Sequence, residues 1–296
     1  MDKTQIFILA IVAVFCFIVA AGCTTVTTTA PPPNPTAVPT SVPTAGHYPA
    51  VSINATPVRY AHVNGVDLGY REYGSGEPIL LQEGFGATMD IAWNETFLGI
   101  LATKYHVYTY DYRGVGYSSD SNGNHTIAQY ADDAAALMPA LGYSSMNVYG
   151  ESMGSTVSQQ LVIDHPERVR KLVLDSVTYS IRLPETQVLF NVINSVANNT
   201  TPEPVGVQKE AFANLAWNGS WDGLSGIQKN TMLVVGTDDV LTPQTVTVQI
   251  AGQINGSWLV RFKDLPHIGS RYAPVEYGEN ALDFLGMNES PPYINP

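Results

Sequence analysis

The chain has 296 residues and a formal net charge of −12, from 14 Lys and Arg against 26 Asp and Glu. So acidic a chain lacks the basic surface that nucleic acid demands, and it equally disfavours anionic lipid faces. Its only cysteines, Cys16 and Cys23, exclude a disulfide framework and the Cys clusters of zinc or iron–sulfur sites within the globular part.

The first 23 residues predict export. Lys3 is followed by an apolar run from Ile6 to Ala21 and then Gly22-Cys23, the order of a secretory signal. The run is short for a full bilayer span of roughly 20 residues. Its end, "VAAGC", resembles a lipobox, with Ala20 where Leu is usual, so Cys23 is the lipidation candidate; the other reading is a plain signal with an incidental Cys. One acyl chain holds only marginally, so stable attachment needs more than one. Residues 24–50 are rich in Thr and Pro with no periodic apolar face, which predicts an extended stalk, O-glycosylated or bare. The expectation is a protein at the cell surface or outside the cell, touching the membrane through its N-terminal anchor alone. N-x-[ST] sequons at Asn54, Asn94, Asn124, Asn198, Asn199, Asn218, Asn255 and Asn288 agree with export.

Residues 51–290 have the length of one α/β domain. "VRYAHV" (58–63) and "VDLGYREY" (66–73) flank Asn64-Gly65, a strong hairpin signal. "PILLQ" (78–82), "YHVYTYD" (105–111), "MNVYG" (146–150), "VRKLVLDSV" (169–177), "TMLVVG" (231–236) and "SWLVRF" (257–262) follow. These short continuous apolar runs predict parallel strands buried on both faces. Helix-compatible stretches lie at 126–141, 153–165, 243–254 and 273–286, and Pro166 ends the second. The alternation predicts a doubly wound α/β sheet with an antiparallel hairpin at one edge. Residues 178–230 are too long for one crossover helix and predict a small inserted cap, held down by Trp217 and Trp221.

The chemistry starts from "VYGESMGS" (148–155), a G-x-S-x-G between a strand and a helix. Such a junction forces the serine into a tight bend, and small residues at Gly150 and Gly154 let strand and helix approach. Ser152 is the candidate nucleophile, and it needs a base with an orienting acid behind it. Of the six histidines, His47 is in the stalk region, His62 and His106 are in strands, His125 is in a loop and His165 caps a helix. His267, in "LPHIG" just after the last strand, is the candidate base. "GTDDVLTP" places Asp238 and Asp239 at the end of a buried strand, the edge where open α/β sheets bind ligands.

With these motifs the domain resembles the α/β-hydrolase superfamily over nearly all of residues 58–287. "DYRGVGYSS" (111–119) and "DHPERVRKLVLDSV" (164–177) add to the match. The resemblance implies a mostly parallel eight-stranded sheet with helices on both faces and a short cap. It implies a Ser152–Asp239–His267 triad, with Asp239 chosen over Asp238 by the G-x-x-D-x-x-x-P turn and Asp175 in reserve. It further implies an oxyanion hole of the Phe85 and Met153 backbone N–H groups, with no cofactor and no metal. Ser152 at the elbow, rather than Asp, argues against the epoxide hydrolase and dehalogenase branches.

One position departs from the family. "LLQEGFGA" has Glu83 where a histidine usually braces the loop after the third strand. Either Glu83 points away and the loop is braced otherwise, or the site is slow or specialised. The expected activity is hydrolysis of a small ester or related acyl substrate. A peptidase, thioesterase, lactonase or perhydrolase on the same triad, and a weakened surface binding module, are the alternatives.

Overall fold

In the computed structural model, which describes residues 48–199 and 205–287, Asn64 and Gly65 turn the chain at φ 48° and 77°. Positive φ at both central residues is what a type I′ hairpin requires. It pairs β1 (Arg59–Val63) with β2 (Val66–Gly74) in antiparallel register, Val63 opposite Val66. The expected export segment, Cys23, the stalk up to His47 and Asn288 lie outside the described residues. The described residues all belong to one unit, Tyr48–Pro296.

Six more strands follow: β3 (Glu77–Gln82), β4 (Tyr105–Tyr110), β5 (Met146–Glu151), β6 (Val169–Asp175), β7 (Asn230–Gly236) and β8 (Trp258–Phe262). The sheet order is β1-β2-β4-β3-β5-β6-β7-β8; β2 meets β4 antiparallel, and every later pair is parallel. Alternation along the strands feeds two cores. Leu80, Val148, Leu172, Leu174 and Leu233 face one, and Ile79, Leu81, Tyr149, Val173, Met232 and Val234 the other. Each fully buried side chain of this kind contributes about 1.5–3 kcal/mol, which explains why both faces must be covered.

The helices that cover them are α1 (Glu95–Leu101), α2 (Ile127–Ala140), α3 (Met153–Asp164), α4 (Gln187–Ala197), α5 (Val205–Ala216), α6 (Trp221–Leu224), α7 (Gln244–Gln253) and α8 (Pro274–Gly286). Helices α2, α3 and α7 pack on the first face, α1 and α8 on the second. Helix α1 was not expected from the sequence. Its start is fixed by Asn94, whose Oδ1 accepts the Thr96 N–H at 2.8 Å.

Helices α4 to α6 occupy the excursion between β6 and β7. Ile181, Leu189, Ile193, Ala197, Ala211 and Leu241 form a third apolar cluster there, with Phe85 against it. Trp217 is buried and donates Nε1–H to Gln160 at 3.0 Å, while the half-exposed Trp221 packs on Tyr179 with ring centroids 4.5 Å apart.

Candidate active site

The parallel strands place their C-terminal ends side by side. Gln82 lies opposite Gly150, Glu151 opposite Asp175, and Gly236 opposite Phe262. The segments that follow β3, β5, β6, β7 and β8 therefore share one edge. Ser152 stands at the end of β5 with φ 53° and ψ −117°, a backbone that a side chain rarely adopts. Such strain costs on the order of 1–3 kcal/mol and persists only where the surroundings enforce it. They do: Ser152 N–H donates to the Asp175 carbonyl at 3.0 Å, and its own carbonyl accepts the Ser155 N–H at 2.9 Å. Gly154 is required because a Cβ there would sit 1.9 Å from the Gln82 carbonyl oxygen.

Three sequence-predicted residues meet in one hydrogen-bonded chain. His267 Nε2 lies 2.9 Å from Ser152 Oγ, and His267 Nδ1 lies 2.8 Å from Asp239 Oδ2. A carboxylate only accepts, so Nδ1 carries the proton and Nε2 is left to accept from the serine hydroxyl. Asp239 is buried and held by the N–H groups of Leu241 and Thr242, both at 2.9 Å, and the Thr242 hydroxyl at 2.8 Å. Burial works against its charge, but the neighbouring His267 and the Thr242 donors outweigh it and hold its carboxyl below the ordinary value. Asp238 is exposed and takes no part. Asp175 is buried beneath the site, but its carboxyl accepts from Tyr149 at 2.8 Å and Ser176 at 3.0 Å rather than from the imidazole.

The turn after β3 borders Ser152 directly. A Cβ on Gly84 would be 3.3 Å from Ser152 Cβ and 3.8 Å from Ile268 Cδ1. Neither the Phe85 N–H nor the Met153 N–H, the first of α3, has a hydrogen-bond partner among the described residues. Of the five non-glycine residues with positive φ among the described residues, Ser152, Ser176 and Ile268 border this site. Among the described residues no group of three His, Cys, Asp or Glu side chains is arranged to hold a metal ion. A surface concavity of about 420 Å³, lined among others by Asn64, Arg113, Asp132, His165 and Arg168, contains none of these residues.

A family model described as the alpha/beta hydrolase fold matches residues 77–203, which include β3, the Ser152 elbow and β6. A hydrolase from Pseudomonas aeruginosa superposes with a TM-score of 0.69 at 24% identity, covering 79% of this chain and all of that one. The chain has the α/β-hydrolase fold. An enol-lactonase from Burkholderia xenovorans gives a TM-score of 0.66 at 22% identity, over 77% of this chain and 100% of its own. In sequence, the chain is 27% identical over 262 residues to a putative carbamate hydrolase RutD of Azorhizobium caulinodans, spanning 77% of this chain and 98% of that relative.

Buried acids surround the Ser152 elbow. Glu83 is fully buried, and among the described residues neither of its carboxyl oxygens has a hydrogen-bond partner, while its carbonyl accepts the Tyr112 hydroxyl at 3.3 Å. Burial, with Asp111, Glu210 and Glu151 adding to it, pushes the Glu83 carboxyl well above its ordinary value. Burial likewise pushes Glu151 up to about 8, Glu210 to about 8 and Asp175 to about 7. Asp111 reaches about 6 through burial, tempered by the Tyr117 and Met89 N–H groups that it accepts at 2.7 Å each. Asp111 thus ties the loop after β4 to the segment after β3. Glu210, on α5, was not singled out in the sequence.

Proposed function

We propose that the chain is a serine hydrolase that cleaves a small ester or related acyl compound through an acyl-enzyme. The observation that carries this reading is the Ser152–His267–Asp239 chain at 2.9 and 2.8 Å on a strained elbow. As Ser152 Oγ attacks the carbonyl carbon, His267 Nε2 takes the hydroxyl proton and the C=O electron pair moves to oxygen. The N–H groups of Phe85 and Met153 receive that oxyanion. Collapse expels the leaving group, which takes the proton from Nε2. Water then attacks the acyl-enzyme by the same route, releasing the acid and restoring Ser152. Asp239 holds the imidazole tautomer and offsets its positive charge.

Glu83 does not oppose this chemistry. Burial pushes its carboxyl well above the ordinary value, which works against a negative charge beside the oxyanion. The apolar cluster of α4 and α5 around Phe85 favours an apolar acyl or alcohol group. The names of the relatives, a carbamate hydrolase and an enol-lactonase, put carbamates and lactones on the substrate panel beside p-nitrophenyl esters. The test is fluorophosphonate labelling of the purified protein with Ser152→Ala alongside. Stoichiometric labelling that Ser152→Ala abolishes, together with its hydrolysis, is expected; full hydrolysis by Ser152→Ala overturns the assignment.

We also propose that residues 1–23 export the chain and that Cys23 anchors it, on the strength of "VAAGC" and the Thr/Pro stalk. Mass spectrometry of the mature N-terminus tests this: a diacylglyceryl adduct on Cys23 is expected, and an unmodified Cys23 in the membrane fraction overturns it.

A further inference from the structure

The turn after β3 is tied from outside the sheet. Gly86 N–H donates to Glu210 Oε2 at 2.8 Å, across 124 residues of sequence. Glu210 is fully buried, and its other oxygen has no hydrogen-bond partner among the described residues. An acid in such a place costs stability unless its acceptor is needed. The helix that carries it is fastened independently. Lys209 Nζ reaches Asp120 at 2.6 Å and the Ser121 carbonyl at 2.8 Å, and Asn214 Nδ2 reaches Met153 Sδ at 3.0 Å. A Cβ on Gly206 would lie 2.0 Å from the Gly114 carbonyl oxygen, so α5 sits directly on the backbone of that loop.

The turn itself shows what the contact controls. Ala87 N–H donates to the Gly84 carbonyl at 3.2 Å, and Gly86 has φ +70° while Phe85 is not at positive φ. This is a type II turn over Gly84–Ala87. A type II turn converts to type I when its central peptide flips, and here the central peptide is Phe85–Gly86. Its N–H is the one Glu210 accepts. Glu83 gives no such tie, because among the described residues neither of its carboxyl oxygens has a hydrogen-bond partner.

We propose that Glu210 is a positioning residue: by accepting the Gly86 N–H it pins the Gly84–Ala87 turn from the α5 side, and so holds the Phe85 N–H, one peptide upstream, in place for the oxyanion formed on Ser152. The inference rests on the acyl-transfer reading above. It assigns to α5 the bracing that a histidine at position 83 would supply. Burial keeps the Glu210 carboxyl neutral near pH 7, so it offers an acceptor without a charge beside the oxyanion.

The test compares Glu210→Leu, which removes the acceptor at similar volume, with Glu210→Gln, which keeps it, on a p-nitrophenyl ester with Ser152→Ala as control. Glu210→Leu is expected to lower kcat by roughly 10- to 100-fold with KM within about twofold, since a misplaced donor forfeits part of what a lost one does. Glu210→Gln is expected to stay within about threefold of wild type. An unchanged kcat in Glu210→Leu, or an equal fall in Glu210→Gln, overturns the proposal. Activity in Ser152→Ala would instead sink the acyl-transfer reading on its own. Should Glu210→Leu not fold, Glu210→Met carries the same comparison. In the wild type, slow hydrogen exchange at the Gly86 amide is expected, and exchange at the rate of an open loop overturns the assignment without any variant.

Discussion

The Ser176 hydroxyl accepts the backbone N–H of Ile268 at 3.1 Å, so a side chain from the end of β6 fixes the residue that follows His267. Both are at positive φ, 52° and 55°, and for a β-branched residue such as Ile268 that is a genuine outlier. Ser176 Oγ in turn donates to Asp175 at 3.0 Å. A buried side-chain pair thus holds the histidine loop in a backbone it would otherwise leave. Ser176→Ala is expected to lower kcat about tenfold with little change in KM, because a small misplacement of a reacting group is enough for such a loss. Steady-state kinetics on an ester checks it; an unaltered kcat would separate the loop from Ser176.

The elbow strain can be read out on stability. Ser152→Gly and Ser152→Ala both remove the proposed nucleophile, but only glycine adopts φ 53° freely. Ser152→Gly should be more stable than Ser152→Ala by about 1 kcal/mol, after allowance for the greater freedom of glycine in the unfolded chain. Denaturant titration of the two inactive variants measures it, and equal midpoints would show that the bend carries no strain.

Asp239→Asn should cut kcat by about 10⁴-fold, the result expected when the imidazole is left in the wrong tautomer. The same variant has a stability signature. Asp239 is held below its ordinary value of 3.8, so its contribution is full above that pH and is lost as pH falls through the folded-state value. Wild type should be the more stable at pH 6, with the difference shrinking as pH falls below 3.8. A difference that persists in acid would contradict the pairing.

The raised carboxyls act in the opposite sense. Asp111 (about 6), Asp175 (about 7), Glu151 (about 8) and Glu210 (about 8) titrate above their ordinary values of 3.8 or 4.5. Their contribution is full below those ordinary values and is lost as pH rises through 6 to 8. Tm should therefore fall between about pH 5 and pH 8.5, by about 2–4 °C for each such group. Glu151→Gln should flatten the fall, and a Tm that rises over this range would refute the burial argument.

Much of the fold was legible because strands buried on both faces read as continuous apolar runs; "PILLQ" and "TMLVVG" coincide with β3 and β7 to within a residue. Helix α1 escaped because "ETFLGIL" is seven residues long and wholly buried beyond its first two, so it shows no amphipathic period. Ser152, Asp239 and His267 were legible because each follows a recognisable strand. Glu210 was not, because its partner is a backbone N–H 124 residues away, and no side-chain pattern marks such a contact.

The three strained positions beside the site have a bearing on how this chain can change. Ser152, Ser176 and Ile268 each hold a backbone that glycine would adopt at lower cost. A library screened only for survival of heating would be drawn toward glycine at all three. It would discard, in turn, the hydroxyl proposed to react, the hydroxyl that anchors the histidine loop and the side chain that closes on Gly84. Heat tolerance and turnover pull this edge of the sheet in opposite directions, so an improved variant must find its added stability elsewhere.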